Sequence, residues 1–123
     1  MLASHLRDWK DSSTGLIWTA KDNGSDVNWN LARDYCSNLR LGGYSDWRLP
    51  TITELEGLYD RGVSKEYKAK GPIEMSGACA LGATTNNSGE VWSFYFAYGG
   101  RSLAPPTSHG SAGRALCVRS SGQ

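Results

Sequence analysis

Histidine, methionine and phenylalanine are scarce in this chain of 123 residues, at two each, and cysteine is held to three. Cys36, Cys79 and Cys117 fall at spacings that match no zinc pattern, and His5 and His109 are too few to complete one. There is no run of apolar residues long enough to cross a bilayer, so membrane insertion is not expected. The N-terminus, MLASHLRDWKDSS, lacks the apolar core of a signal peptide. Charge of one sign is also missing: the formal charge is +1. Without a basic field, nucleic acid is not an expected partner.

Catalytic signatures are absent as well. No serine stands in a G-x-S-x-G context, and the glycine-rich pieces match neither a P-loop nor a dinucleotide fingerprint. His109 lies among small residues, and no acidic residue between Val91 and Gln123 could orient it. A lone Cys79, in a Gly-Ala-Cys-Ala context, has no cationic neighbour in sequence to lower its pKa. The expectation is a non-enzymatic protein with no cofactor.

What is plentiful is glycine, at 15, and tryptophan, at five. Together they describe a loop-rich domain with a few large anchors, each indole removing on the order of 200 Å² from water when buried. The length fits one domain over 1–123. Asp11 to Gly15 reads as a turn leading into a short strand, Leu16–Thr19. Trp29, Ala32, Cys36 and Leu39 recur at helical spacing, with Asp26 or Asn28 as cap and Gly42-Gly43 as stop. Thr51 to Glu54 has the form of a capping box, opening a second helix with Ile52, Leu55 and Leu58 or Tyr59 inward. Asp60 to Gly89 reads as mostly loop with short extended pieces. Val91 to Tyr98 reads as a strand of period two, with Trp92, Phe94 and Phe96 toward the core and Tyr95 and Ala97 outward. Gly99-Gly100 marks a hairpin, and Ala115–Val118 a closing strand. The order predicts an α+β fold, two helices on a mainly antiparallel sheet.

Several stretches carry a family resemblance. Asp11–Trp18, DSSTGLIW, is followed by Trp29-Asn-Leu-Ala32, then Tyr35-Cys36 and Leu39. Next come Gly43–Pro50, GYSDWRLP, with Glu54-Leu55; then Trp92, Phe96 and Gly99; and finally Cys117-Val118-Arg119. In this order they resemble the Legionella collagen-like protein C-terminal domain family. The resemblance implies a C-type-lectin-like fold in which these motifs are scaffold. Trp18, Trp29, Trp47 and Trp92 are then core anchors, and Asp46, Arg48 and Arg119 satisfy local backbone groups. It also implies a bridge between Cys36 and Cys117; two neighbouring buried thiols are the alternative. The loop motifs of calcium-dependent sugar binders are absent, so no calcium site is expected.

The last third has a composition of its own. Phe94 to Gly113 reads FYFAYGGRSLAPPTSHGSAG and contains no Lys, Glu, Gln, Met or Trp. All residues present belong to the alphabet encoded by codons ending in a pyrimidine, which adenine-directed mutagenesis of Asn-type codons produces. Residues 93–113 thus resemble the variable region of diversity-generating retroelement variable proteins. That resemblance implies a hypervariable surface for receptor or ligand recognition. Its expected contact residues are Tyr95, Ala97, Tyr98, Arg101, Ser102, Leu103, Pro105, Pro106, Thr107, Ser108 and His109, all on one outward face. Tyr and Arg anchor interfaces well, and Tyr, Ser and Gly dominate antibody paratopes. The expected partner is a protein or cell-surface ligand, which places the mature protein at a cell surface, outside the cell or on a virion. A second expectation is a glycan-binding adhesin module. The collagen-like relatives favour sulfated polysaccharides, and Arg61, Lys65, Lys68 and Lys70 are the basic residues offered for them.

Overall fold

A computed structural model describes residues 7–106 and 113–120. Strands β1 (Asp8–Asp11) and β2 (Leu16–Thr19) form a hairpin, and α1 (Trp29–Asn38) and α2 (Ile52–Leu58) follow. Then come β3 (Cys79–Thr85), β4 (Val91–Tyr95), β5 (Gly100–Ala104), β6 (Gly113–Arg114) and β7 (Val118–Ser120). They make two sheets, ordered β1-β2-β7 and β5-β4-β3-β6. All pairings are antiparallel except the short β3–β6 ladder. The fold is therefore α+β.

The motif residues act locally. Asp11 Oδ1 accepts from the backbone N–H and the hydroxyl of Ser13, at 3.0 and 2.7 Å, which shapes the β1–β2 turn. Asn28 caps α1 by accepting from the Leu31 N–H at 2.8 Å. The helix stops earlier than its glycines suggest. Leu39 is already extended, and Gly42 and Gly43, with φ of +64° and +85°, form a two-residue hairpin between Leu41 and Tyr44 instead. Positive φ at both central positions is what such a turn needs, and glycine supplies it.

At α2 the capping box is complete. Thr51 Oγ1 accepts from the Glu54 N–H, and Glu54 Oε1 accepts from the Thr51 N–H. Both Glu54 oxygens also receive Arg48, at 2.8 and 2.9 Å. One carboxylate thus joins the RLP segment to the helix start.

Two buried clusters lie between the elements. The larger gathers Trp18, Ile52, Leu55, Leu58, Phe94 and Phe96 with Leu116 and Val118. The smaller holds Trp47 and Leu49 with Cys36 and Cys117. Cys36 and Cys117 are joined in a disulfide across a sequence separation of 81, their Cα atoms 5.5 Å apart. Arg48, in the RLP segment before α2, exchanges two backbone hydrogen bonds of 2.9 Å with Val118 of β7.

Four local expectations need correction. β1 was not foreseen at all. β3 lies inside the stretch expected to be mostly loop; its sequence, CALGATT, shows no strict alternation because much of it is covered on both faces. β4 ends at Tyr95 rather than Tyr98, since Phe96 leaves the ladder to bond the Ala78 carbonyl and the Lys68 N–H. The closing segment is not one strand over Ala115–Val118: it is split into β6 and β7 around Ala115–Cys117, where Leu116 fills the larger cluster and Cys117 the disulfide.

Candidate functional site

The β4–β5 hairpin fixes where most of the candidate residues point. Its register pairs Trp92 with Leu103, Ser93 with Ser102, Phe94 with Arg101 and Tyr95 with Gly100. Directly paired residues share a face. Arg101 and Leu103 therefore lie on the α2 side of the sheet, with Trp92 and Phe94. Tyr95 and Ser102 lie on the opposite side, with Cys79 and Ser93. This corrects the single outward face expected from the sequence: the candidates divide between two faces and the hairpin tip.

Exposure divides them further. Ala97, Tyr98, Arg101 and Pro105 are exposed, Tyr98 at 68%. Tyr95, Ser102, Leu103 and Pro106 are half-buried. Thr107, Ser108 and His109 lie outside the described residues. Ser93 is buried, so β4 is covered on both sides.

At the tip, the Tyr95 and Tyr98 rings stack with centroids 5.6 Å apart and planes 22° off parallel. Gly99 makes this tip possible. Its φ is +84°, and a Cβ there would stand 2.7 Å from the Tyr59 ring. Its N–H closes the turn on the Tyr95 carbonyl at 2.8 Å.

Beneath the hairpin, Cys79 is a buried free thiol. Burial pushes its pKa up, and hydrogen bonding with Ser93 and Tyr95 offsets that only in part. A raised pKa leaves little thiolate, the reactive form. The cavity beside it, about 20 Å³ and lined by Trp29, Cys79, Ser93 and Pro106 among others, has room for about one water.

The chain beyond β5 is clasped at both ends. The Trp29 N–H donates to the Pro106 carbonyl at 3.3 Å, and the Val27 N–H donates to the Gly113 carbonyl at 3.0 Å. Both clasps land on the start of α1, at its first residue Trp29 and at Val27 two positions before it. Phe96 is likewise held through its own N–H and carbonyl. Sequence reasoning did not find Val27 or Trp29 as partners of this segment. They lie far away in the chain, and main-chain contacts leave no mark on residue type.

On the α2 side, Arg101 lies over the Trp92 ring, 4.9 Å from its centroid, and its Nε is 3.1 Å from Glu56 Oε2. Glu56 was also not foreseen; as one exposed glutamate on a short helix, it carries no sequence signal.

The basic loop residues are mostly engaged. Lys65 Nζ donates to the Gly71 and Ile73 carbonyls, and Lys68 Nζ to those of Val63 and Lys65. Lys70 pairs with the buried Asp11 at 3.0 Å. Desolvation lowers the Lys65 pKa. Lys65 and Lys68 thus hold their own loop together, and Lys70 ties it to the β1–β2 hairpin.

The scaffold residues close around the DWRLP motif. Arg119 meets both Asp46 oxygens, at 2.6 and 3.2 Å, and lies 3.6 Å from the Tyr44 ring centroid. Trp47 donates its indole N–H to the Leu41 carbonyl at 3.3 Å. A family model, the Lcl C-terminal domain, matches residues 8–119. The chain belongs to the Lcl C-terminal domain family. No curated protein matches it. The matched span of this Lcl domain runs from β1 to Arg119, and so takes in the Asp46–Arg119 pair, the disulfide and the hairpin alike.

Proposed function

We propose that this domain is a non-enzymatic binding module whose contact surface is the β4–β5 tip, Arg101 of β5 and the segment 105–113. The observation that carries the reading is how this segment is attached. Phe96, Pro106 and Gly113 are held by main-chain hydrogen bonds to Ala78, Lys68, Trp29 and Val27. A main-chain bond does not depend on the side chain at either end. Identity at the exposed positions Ala97, Tyr98 and Pro105 can therefore change while the frame stays fixed.

This supports the reading of a diversity-generating retroelement variable protein, with residues 93–113 as its variable region, on a C-type-lectin-like frame. The residue alphabet of 94–113 agrees, since it lacks Lys, Glu, Gln, Met and Trp. Phe94 and Phe96 are buried, so variation there is confined to residues that fill the core. A protein or cell-surface ligand fits a surface led by an exposed, stacked tyrosine, because Tyr gives large contact area at low entropic cost. The sulfated-polysaccharide alternative has weaker support, because Lys65 and Lys68 already bond carbonyls of their own loop and Lys70 pairs with Asp11.

A library randomised at 98, 101 and 107–112 tests the attachment argument. Most members are expected to melt within a few degrees of the parent, and selection on immobilised protein ligands is expected to yield distinct binders. Broad unfolding across the library would end the proposal. The gene offers a separate test: a near-copy of the segment encoding 93–113, differing only at adenines and close to a reverse transcriptase, is the expected arrangement.

A further inference from the structure

The contact of Arg101 with Glu56 and Trp92 has a meaning beyond stabilising the hairpin. An indole face and a carboxylate converging on one point are the two halves of a cation site: the ring quadrupole attracts the charge, and the carboxylate neutralises it. Here the guanidinium of Arg101 fills it, 4.9 Å above the Trp92 ring and 3.1 Å from Glu56 Oε2. The fit suits a flat guanidinium better than an ammonium, because only the former stacks on an aromatic face.

The two halves and the filler come from different kinds of position. Glu56 is on α2, and Trp92 precedes the segment 94–113 that lacks both Glu and Trp. Arg101 is inside that segment. The site is also approachable. Arg101 and Glu56 side chains are 45% and 39% exposed, and a Cβ added at the neighbouring Gly57 would meet nothing within 4 Å. We propose that Trp92 and Glu56 form a guanidinium-binding site for an arginine side chain of a partner protein, occupied in cis by Arg101. Replacing Arg101 by a short residue opens it. One substitution thereby changes this patch from one that presents a cation to one that receives it.

The inference does not rest on the retroelement reading. It needs only the geometry of three side chains. The test is titration of N-acetyl-arginine amide into R101S, followed by the indole N–H resonance of Trp92, assigned with W92F. A saturable shift with a millimolar dissociation constant is expected in R101S, and no saturable shift in the parent, where Arg101 competes. In R101S/E56Q the affinity is expected to fall about threefold, the size of an exposed ion pair. N-acetyl-lysine amide is expected to bind R101S more weakly than the arginine probe. No saturation in folded R101S overturns the proposal, as does an E56Q change without effect or equal affinity for the lysine probe. In the parent chain the Arg101 side-chain protons are expected to resonate upfield from the indole ring current and to return to ordinary values in W92L. Absence of that difference overturns the proposal even if R101S fails to fold.

Discussion

Trp47 is among the buried aromatic residues, and Tyr98 is at the exposed end. Trp47 is 2% exposed and Tyr98 is 68% exposed. Trp47→Ala opens a cavity in the disulfide cluster and removes one of the two donors to the Leu41 carbonyl, so a loss of about 3–5 kcal/mol is expected in chemical denaturation. Tyr98→Ala is expected to stay within about 0.5 kcal/mol of the parent, as surface changes usually do. Tyr95 falls between them, because it bonds the buried Cys79 and supports Tyr98. Glu54 sets a pH dependence. Burial pushes its pKa up, but hydrogen bonds from Arg48 and the Thr51 N–H, with the charge of Arg48, outweigh burial and hold it below the ordinary range. A carboxylate depressed in the folded state adds stability above its unfolded pKa and loses it as pH falls through the folded one. Stability is therefore expected to decline on acidification below about pH 4.3, and Glu54→Gln is expected to flatten part of that decline in melts recorded from pH 6 to pH 3.

The elements differ in how openly their sequences declare them. The start of α2 was fully legible, because Thr51 and Glu54 perform the reciprocal bonding that their spacing announces. Seven residues make a helix too short to stand without its cap and its packing. Thr51→Ala is expected to cost about 1 kcal/mol in the same denaturation measurement. The stop of α1 was misplaced, since Gly42-Gly43 served a hairpin two residues wide rather than the helix end. β3 was illegible for a physical reason: a strand covered on both faces has no alternation to read. The split of the candidate site between two faces was equally hidden. Face assignment needs the register of β5, and the turn at Phe96–Gly99 that sets it lies close against Tyr59, far away in the chain. That contact makes Gly99→Ala a severe change. Its φ is positive and its space is taken, so a loss of more than about 1 kcal/mol is expected, with the hairpin amides exchanging faster than those of β1 and β2.

At the scale of the whole molecule, one covalent link does much of the confining. The bridge from α1 to the segment before β7 closes a loop of 81 positions. Loop entropy alone makes such a link worth about 4 kcal/mol. Reduction, or Cys36→Ser with Cys117→Ser, is expected to lower the melting temperature steeply, while Cys79→Ala leaves the bridge intact and costs only its packing. That two cysteines at these positions would meet was suggested by the family resemblance; their number and spacing left the pairing open. The overall α+β layout and the motif residues that lock it were readable from the chain. The path of the last third across the scaffold was not, because it is held by peptide groups.

The paired clasps on Val27 and Trp29 also carry an engineering consequence. Pro106 and Gly113 are moored at neighbouring points of one short stretch, so the cost of closing the chain between them grows only slowly as residues are inserted. The domain should accept longer exchangeable cassettes there, and so could serve as a cradle for grafted peptides.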